Sequence, residues 1–234
     1  MSEQLNFETY LVISYEKFEI FLLDKKNLKN LYQEEFKFET NMEKINFDVL
    51  SEFLEKNIFK IEKLSGNFVN NINVIIENKS TFIFDISIKK KNYSKNISNI
   101  FLGNMLTDVK DLFKETYSEY TLIHMLINQY IIDGIRYSSL QDKINSNEIC
   151  LEIKLISVSK SIIFEIEHVL KKYQIQVNKY FDKKYLNDFF KNKQLDTSVM
   201  AYKLNDGINK DEVQITIKNK KKQGFFEKFF QLFS

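Results

Sequence analysis

The chain has 234 residues, 44% hydrophobic and 28% charged, a balance typical of folded rather than disordered proteins. Its formal net charge of +2 and its single arginine, Arg136, argue against a nucleic-acid partner, because base and phosphate readout favours the planar guanidinium. No apolar run reaches the roughly 18 residues of a membrane-spanning helix, Met1-Ser2-Glu3-Gln4 lacks the layout of a signal peptide, and the lone Cys150 excludes an intrachain disulfide and suits a cytoplasmic setting.

In chain order the first elements read as strands. Tyr10 to Ile13 and Phe18 to Leu23 are apolar runs joined by Ser14-Tyr15-Glu16-Lys17, and Leu31 to Phe38 follows as a third strand with Glu34, Lys37 and Glu39 outside. The period then changes. Phe47, Leu50, Phe53, Leu54, Ile58 and Ile61 recur at helical spacing, with Asn46 placed as an N-cap and Gly66 as the closing residue. Ile72 to Ile76 is a short strand of the buried kind, so the first unit reads β-β-β-α-β.

A second unit begins near Ser80. Phe82, Phe84, Ile86 and Ile88 alternate with polar residues as in a half-buried strand, and Lys89-Lys90-Lys91 reads as its solvated end. Ile97 to Tyr117 is helical in pattern, with Ile100, Phe101, Met105, Val109, Leu112 and Phe113 on one face. Tyr120 to Ile132 is a long strand ending at the turn signal Asp133-Gly134. Ile149 to Val158 is another, Ser159 caps a helix from Lys160 to Tyr173, and Ile175 to Tyr180 is expected to close this second unit. Asp182 to Asn192 reads as a helical linker, and Val199 to Leu204 with Val213 to Ile217 as a hairpin around Asn205-Asp206-Gly207.

The most readable stretch is the last. At about 100° per residue, Phe225, Phe226, Phe229, Phe230, Leu232 and Phe233 fall in one arc of roughly 160°, with Glu227, Lys228, Gln231 and Ser234 opposite. Lys218, Lys220, Lys221 and Lys222 stand just upstream. A short helix with an aromatic face behind a basic run is the pattern of an interfacial membrane anchor. The alternative is a terminal helix that packs on its own core or on a partner.

This order of elements resembles FtsA, the actin-related bacterial division proteins that tether division filaments to the membrane. Leu122-Ile123-His124-Met125-Leu126-Ile127-Asn128-Gln129-Tyr130-Ile131-Ile132-Asp133-Gly134 is similar to a strand of the family's inserted subdomain: His124, Tyr130, Asp133 and Gly134 fit, and Ile127 replaces the family's proline. Leu151 to Val158, with the helix and strand through Phe181, is similar to the last strand-helix-strand of that subdomain. The lysine-rich stretch and the helix from Gly224 resemble the family's membrane-targeting tail. The resemblance implies an α+β chain: a partial actin-like (ribonuclease H-like) half-domain over 1–79, an SHS2-like βαββ-type interaction module over 80–181, a linker over 182–217, and an amphipathic helix in 218–234.

The residues depart from the family where phosphate would bind. Actin-type ATPases hold phosphates on glycine-containing hairpin turns, since only Gly lets several N–H groups crowd an anion. Here the first such turn is Ser14-Tyr15-Glu16-Lys17, without Gly and with an added carboxylate, and the family's second half-domain, which contacts the division filament, has no counterpart. No ATP and no other cofactor are expected. His124 in an apolar strand and His168 on a helix read as structural, one Cys and two distant His form no metal site, and no nucleophile stands beside a base. A Tyr–Lys patch (Tyr173, Tyr180, Tyr185 with Lys171, Lys172, Lys179, Lys183 and Lys184) would suit an anionic lipid better than nucleic acid. The expectation is a non-enzymatic scaffold in bacterial division, cytoplasmic and peripheral on the inner leaflet of the cell membrane, meeting other division proteins or itself through 80–181. The alternative is a soluble binding module outside division.

Overall fold

In the computed structural model, residues 6–39, 44–77, 79, 81–94, 97–140, 145–191 and 193–213 are described. Their elements run β1 (Phe7–Ser14), β2 (Lys17–Asp24), β3 (Lys29–Lys37), α1 (Phe47–Ser65), β4 (Asn71–Glu77), β5 (Phe82–Lys91), α2 (Asn99–Thr116), β6 (Tyr120–Ile132), β7 (Ile135–Tyr137), β8 (Glu148–Ser159), α3 (Lys160–Lys171), β9 (Gln176–Asp182), α4 (Lys183–Phe190) and α5 (Thr197–Asn205).

The first sheet has the order β3-β2-β1-β4-β9, with β1 antiparallel to β2 and parallel to β4, and β4 parallel to β9. This is the ribonuclease H-like arrangement of an actin-type half-domain. Its inner strands are buried at nearly every position, as Tyr10–Ile13 and Ile72–Ile76 show. A strand apolar on both sides needs cover on both sides. Helices α1 and α3 pack on each other and α4 and α5 on each other, and all four join the same core. In β3 an irregularity at Leu31 changes which side chains share a face: Tyr32 donates to Asn57 of α1, while Asn30 bonds Asp196 and Ser198 at the start of α5. The two ends of α1 follow from single residues. Asn46 accepts from the Val49 N–H, and Gly66 at φ 70° closes the helix onto the Glu62 carbonyl.

The second sheet, β5-β8-β6-β7, is antiparallel throughout. Met105, Val109 and Phe113 of α2 bury against Phe84, Ile86, Ile88, Leu151, Ile153 and Leu155 on one face. Each such side chain contributes about 2 kcal/mol on burial. Ile100 and Leu112, expected on the same helix face, are instead exposed. At the other end of the sheet Ile123, Leu126, Ile156 and Val158 enter the core of the first sheet, so the two sheets share a boundary.

Three expectations are corrected. Strand β9 does not close the second unit: it pairs with β4, and α3 leads into it, so the second sheet is an insertion between β4 and α3. The stretch Asp182 to Asn192 is helical as expected, over α4, but it is part of the core rather than a linker, because α4 buries Tyr185, Leu186 and Phe190. Val199 to Leu204 is helix α5, not a hairpin strand. There Gly207, at φ 82°, donates to the Leu204 carbonyl while Ile208 donates to that of Lys203, a Schellman closure. The Asp206-Gly207 pair ends a helix rather than turning a hairpin. Val213 pairs with Met125 of β6. The aromatic and basic tail from Lys218 to Phe233 lies outside the described residues.

Candidate functional site

Where β6, β9, α4 and residues 209–213 meet, the chain buries a polar cluster. His124 is 1% exposed, Asp182 2% and Glu212 7%. The backbone N–H of Asp182 donates to His124 Nε2 at 3.0 Å, which makes that nitrogen an acceptor and leaves the ring proton on Nδ1. Nδ1 lies 2.8 Å from Glu212 Oε1 and donates to it, so a neutral imidazole meets a carboxylate in a charge-assisted hydrogen bond. The Tyr185 hydroxyl donates to Glu212 Oε2 at 3.2 Å and accepts from Asn209 Nδ2 at 2.7 Å. Lys179 Nζ stands 4.0 Å from Oε1. Burial pushes the Tyr185 phenol well above its usual range, and Glu212 adds to the effect. Burial pulls Lys179 down against the opposing pull of Glu212. Asp182 caps α4 by accepting from the Tyr185 N–H at 2.7 Å, and its other oxygen accepts from Thr81 at 3.2 Å.

Both His124 nitrogens, the Tyr185 hydroxyl and both Glu212 oxygens have partners inside the cluster. His124 offers no free nitrogen to a substrate, and the Tyr185 proton is committed to Glu212. The arrangement fastens β6 of the second sheet to β9 of the first and to residues 211–213. Residues 211–213 lie along β6: Ile127 N–H donates to Asp211 O and Val213 N–H to Met125 O, both at 2.9 Å.

The β1–β2 turn is closed in a comparable way. Ser14 Oγ accepts from the N–H groups of Glu16 and Lys17 at 3.2 and 3.0 Å and donates to Lys17 O at 2.9 Å. Lys17 reaches Glu35 at 2.6 Å and Glu19 at 3.1 Å. Burial opposes the Lys17 charge, yet these two carboxylates raise its pKa, while Lys17 and then Lys37 lower that of Glu35. Ser14 is level with Glu77, and Ile76 with Asp182, across the parallel strands. At the carboxyl end of the sheet, where open α/β sheets take ligands, the turn N–H groups are thus spent on Ser14, Glu77 is paired with Lys183 at 2.7 Å, and Asp182 is buried as a helix cap.

The residues that carry the family resemblance do not converge. His124 is in the buried cluster. Tyr130 is 8% exposed and opposite Tyr137. Asp133 and Gly134, at φ 47° and 86°, form the two-residue β6–β7 turn, and the Asp133 carboxylate accepts from the N–H groups of Asn147 and Glu148. The expected Tyr–Lys patch is not one surface: Tyr185 is in the cluster, Tyr173 donates to Ser51 O, and Tyr180 donates to Glu167. Sequence reasoning missed Glu212, Asp182 and Asn209, because a polar residue's burial by distant partners leaves no local signal. Among the described residues no cluster of His, Cys, Asp and Glu suits a metal ion, and no helix is long and apolar enough to cross a membrane.

No protein-family profile matches the sequence, and no curated protein matches it. Similar solved structures include the PilM–PilN type IV pilus biogenesis complex, at 9% identity and a TM-score of 0.49, covering 78% of this chain and 49% of that one. The cytoplasmic domain of EpsL, an inner-membrane component of the type II secretion system of Vibrio cholerae, aligns at 6% identity and a TM-score of 0.40, covering 76% of this chain and 59% of that one. A Bacteroides thetaiotaomicron protein of unknown function with an actin-like ATPase fold aligns at 10% identity and a TM-score of 0.36, covering 83% and 59%. The chain spans between 49% and 59% of the length of these structures.

Proposed function

We propose that the chain is a non-enzymatic scaffold held at a membrane surface, with the part of residues 80–181 that forms the second sheet and α2 supplying its protein-interaction surface. The observation that carries this reading is the anchoring of residues 211–213, the last described ahead of the basic run. Residues 211–213 are fastened along β6 by backbone hydrogen bonds and by the buried Glu212. The basic run begins at Lys218, five residues beyond Val213 and at most about 18 Å of extended chain away. The engaged β1–β2 turn and the closed His124 support a role without nucleotide or catalysis.

The finer reading is a division scaffold on the inner leaflet, and its support is the resemblance to FtsA. A fluorescent fusion in dividing bacterial cells tests both levels. Peripheral membrane signal is expected for the tether and a midcell band for division. Diffuse signal contradicts the tether, and even peripheral signal without a band contradicts the division role.

A further inference from the structure

Strand β5 is an edge of the second sheet, and among the described residues no strand pairs on its outer side. Long open edges invite pairing with another chain and are normally guarded by charge. The guard on β5 is one-sided. Lys89, Lys90 and Lys91 occupy its final third, whereas Phe82 to Ile86 are apolar apart from Asp85. A strand polarised in this way repels a parallel copy, lysine on lysine, and complements an antiparallel one.

Residues opposite each other in an antiparallel pair share a sheet face. With Ser87 on the two-fold axis, Asp85 of each copy stands opposite Lys89 of the other, and Ile86 opposite Ile88. Phe84 meets Lys90 and Ile83 meets Lys91, with no like charges opposed. Centring the pair on Lys89 would set that lysine against itself. The odd-numbered side chains from Ile83 to Lys91 are exposed on the open face. There Asp85 Oδ1 accepts from Asn128 at 3.1 Å, and Lys89 pairs with Glu148 at 2.7 Å. Both contacts are at the surface and leave the charged groups accessible to a second copy. On the other face Lys90 pairs with Asp108, so the flank of α2 carrying Asp108 lies over the edge. Leu112, one turn further along that flank, is 49% exposed.

We propose that β5 is a self-association edge: two copies join antiparallel about Ser87 into one continuous eight-stranded sheet, with Asp85–Lys89 pairs across the seam. This rests on reading residues 80–181 as the interaction surface and names the partner as a second copy of this chain.

The experiment is disulfide trapping of the full chain carrying Ser87→Cys in a Cys150→Ser background. Directly opposed residues stand about 4.5–5.5 Å apart at Cα, within disulfide range. Mild oxidation is expected to convert most of the chain to a covalent dimer. Adding Asp85→Lys should slow trapping about tenfold, and further adding Lys89→Asp should restore it by exchanging the pair. A control cysteine at Lys56 on α1, measured under the same conditions, sets the collisional rate, and circular dichroism checks that each variant folds. Trapping at Ser87 no faster than at Lys56, or a charge exchange that fails to rescue, overturns the proposal. Vesicle binding of the same proteins reads the tether separately, so loss of one property without the other identifies which reading has failed.

Discussion

His124 Nδ1 lies 2.8 Å from Glu212 Oε1 although 88 residues separate them, and both side chains are almost wholly buried. The pair joins the inserted sheet to residues 211–213, the last described. Replacing Glu212 by Ala strands the Nδ1–H of His124 and the Tyr185 hydroxyl without an acceptor. We expect a loss of about 3 kcal/mol in urea unfolding, together with faster amide exchange at Ile127 and Val213. A loss under about 0.5 kcal/mol, within the range of ordinary surface substitutions, would contradict the fastener role.

Alkaline pH should unfold the protein through its buried phenols. Burial raises the pKa of Tyr10, Tyr180 and Tyr185, with nearby Glu8, Glu167 and Glu212 adding to the effect. A phenol raised on folding contributes stability that is fully present below the unfolded value of about 10 and is lost as pH rises above it. The expected result is a cooperative unfolding transition above about pH 10 in which tyrosinate absorbance and loss of circular dichroism coincide. Tyrosine ionisation that goes to completion without unfolding would refute this.

Ser14 takes the place of an anion at the β1–β2 turn. Its replacement by Ala should cost about 1 kcal/mol, because the Glu16 and Lys17 N–H groups lose their acceptor. ATP titrated calorimetrically into the unmodified chain should give no saturable heat, since the turn's donors are already spent on Ser14 and Glu16 adds a carboxylate there. Saturable binding would overturn the non-nucleotide reading.

Gln174 sits at φ 59° after α3, where the Gln174 N–H donates to Lys171 O and the Ile175 N–H to Leu170 O. This is a Schellman closure built on a side chain that disfavours the left-handed region. Gln174→Gly should therefore raise stability by about 0.5–1 kcal/mol in urea unfolding. Unchanged or reduced stability would show that the Gln174 side chain contributes more than its backbone strain removes.

The legible parts of the fold are those decided within a few residues. Asn46 and Gly66 bound α1, Ser159 starts α3, and Asp133-Gly134 turns β6 into β7, each by chemistry confined to its own turn. Strand β9 was legible as a strand but not in its place, because Val177 and Phe181 present the same alternation whichever sheet they join. The Asp206-Gly207 signal is ambiguous for a physical reason: a left-handed glycine serves a hairpin turn and a helix closure alike. The fastener was illegible, since Glu212 reads as an ordinary surface acid until His124 and Tyr185 are brought to it.

Attachment of the folded body to a membrane through residues 218–233 is tested by vesicle co-sedimentation of the full chain. On the proposed tether, five Phe and one Leu partly buried in a lipid interface would contribute on the order of 5 kcal/mol net of helix formation, with up to about 1 kcal/mol for each nearby Lys on anionic lipid. Binding to anionic vesicles is expected to weaken with salt and to fall at least tenfold in the Phe229→Asp, Phe230→Asp variant. Equal binding by that variant and the unmodified chain would contradict it.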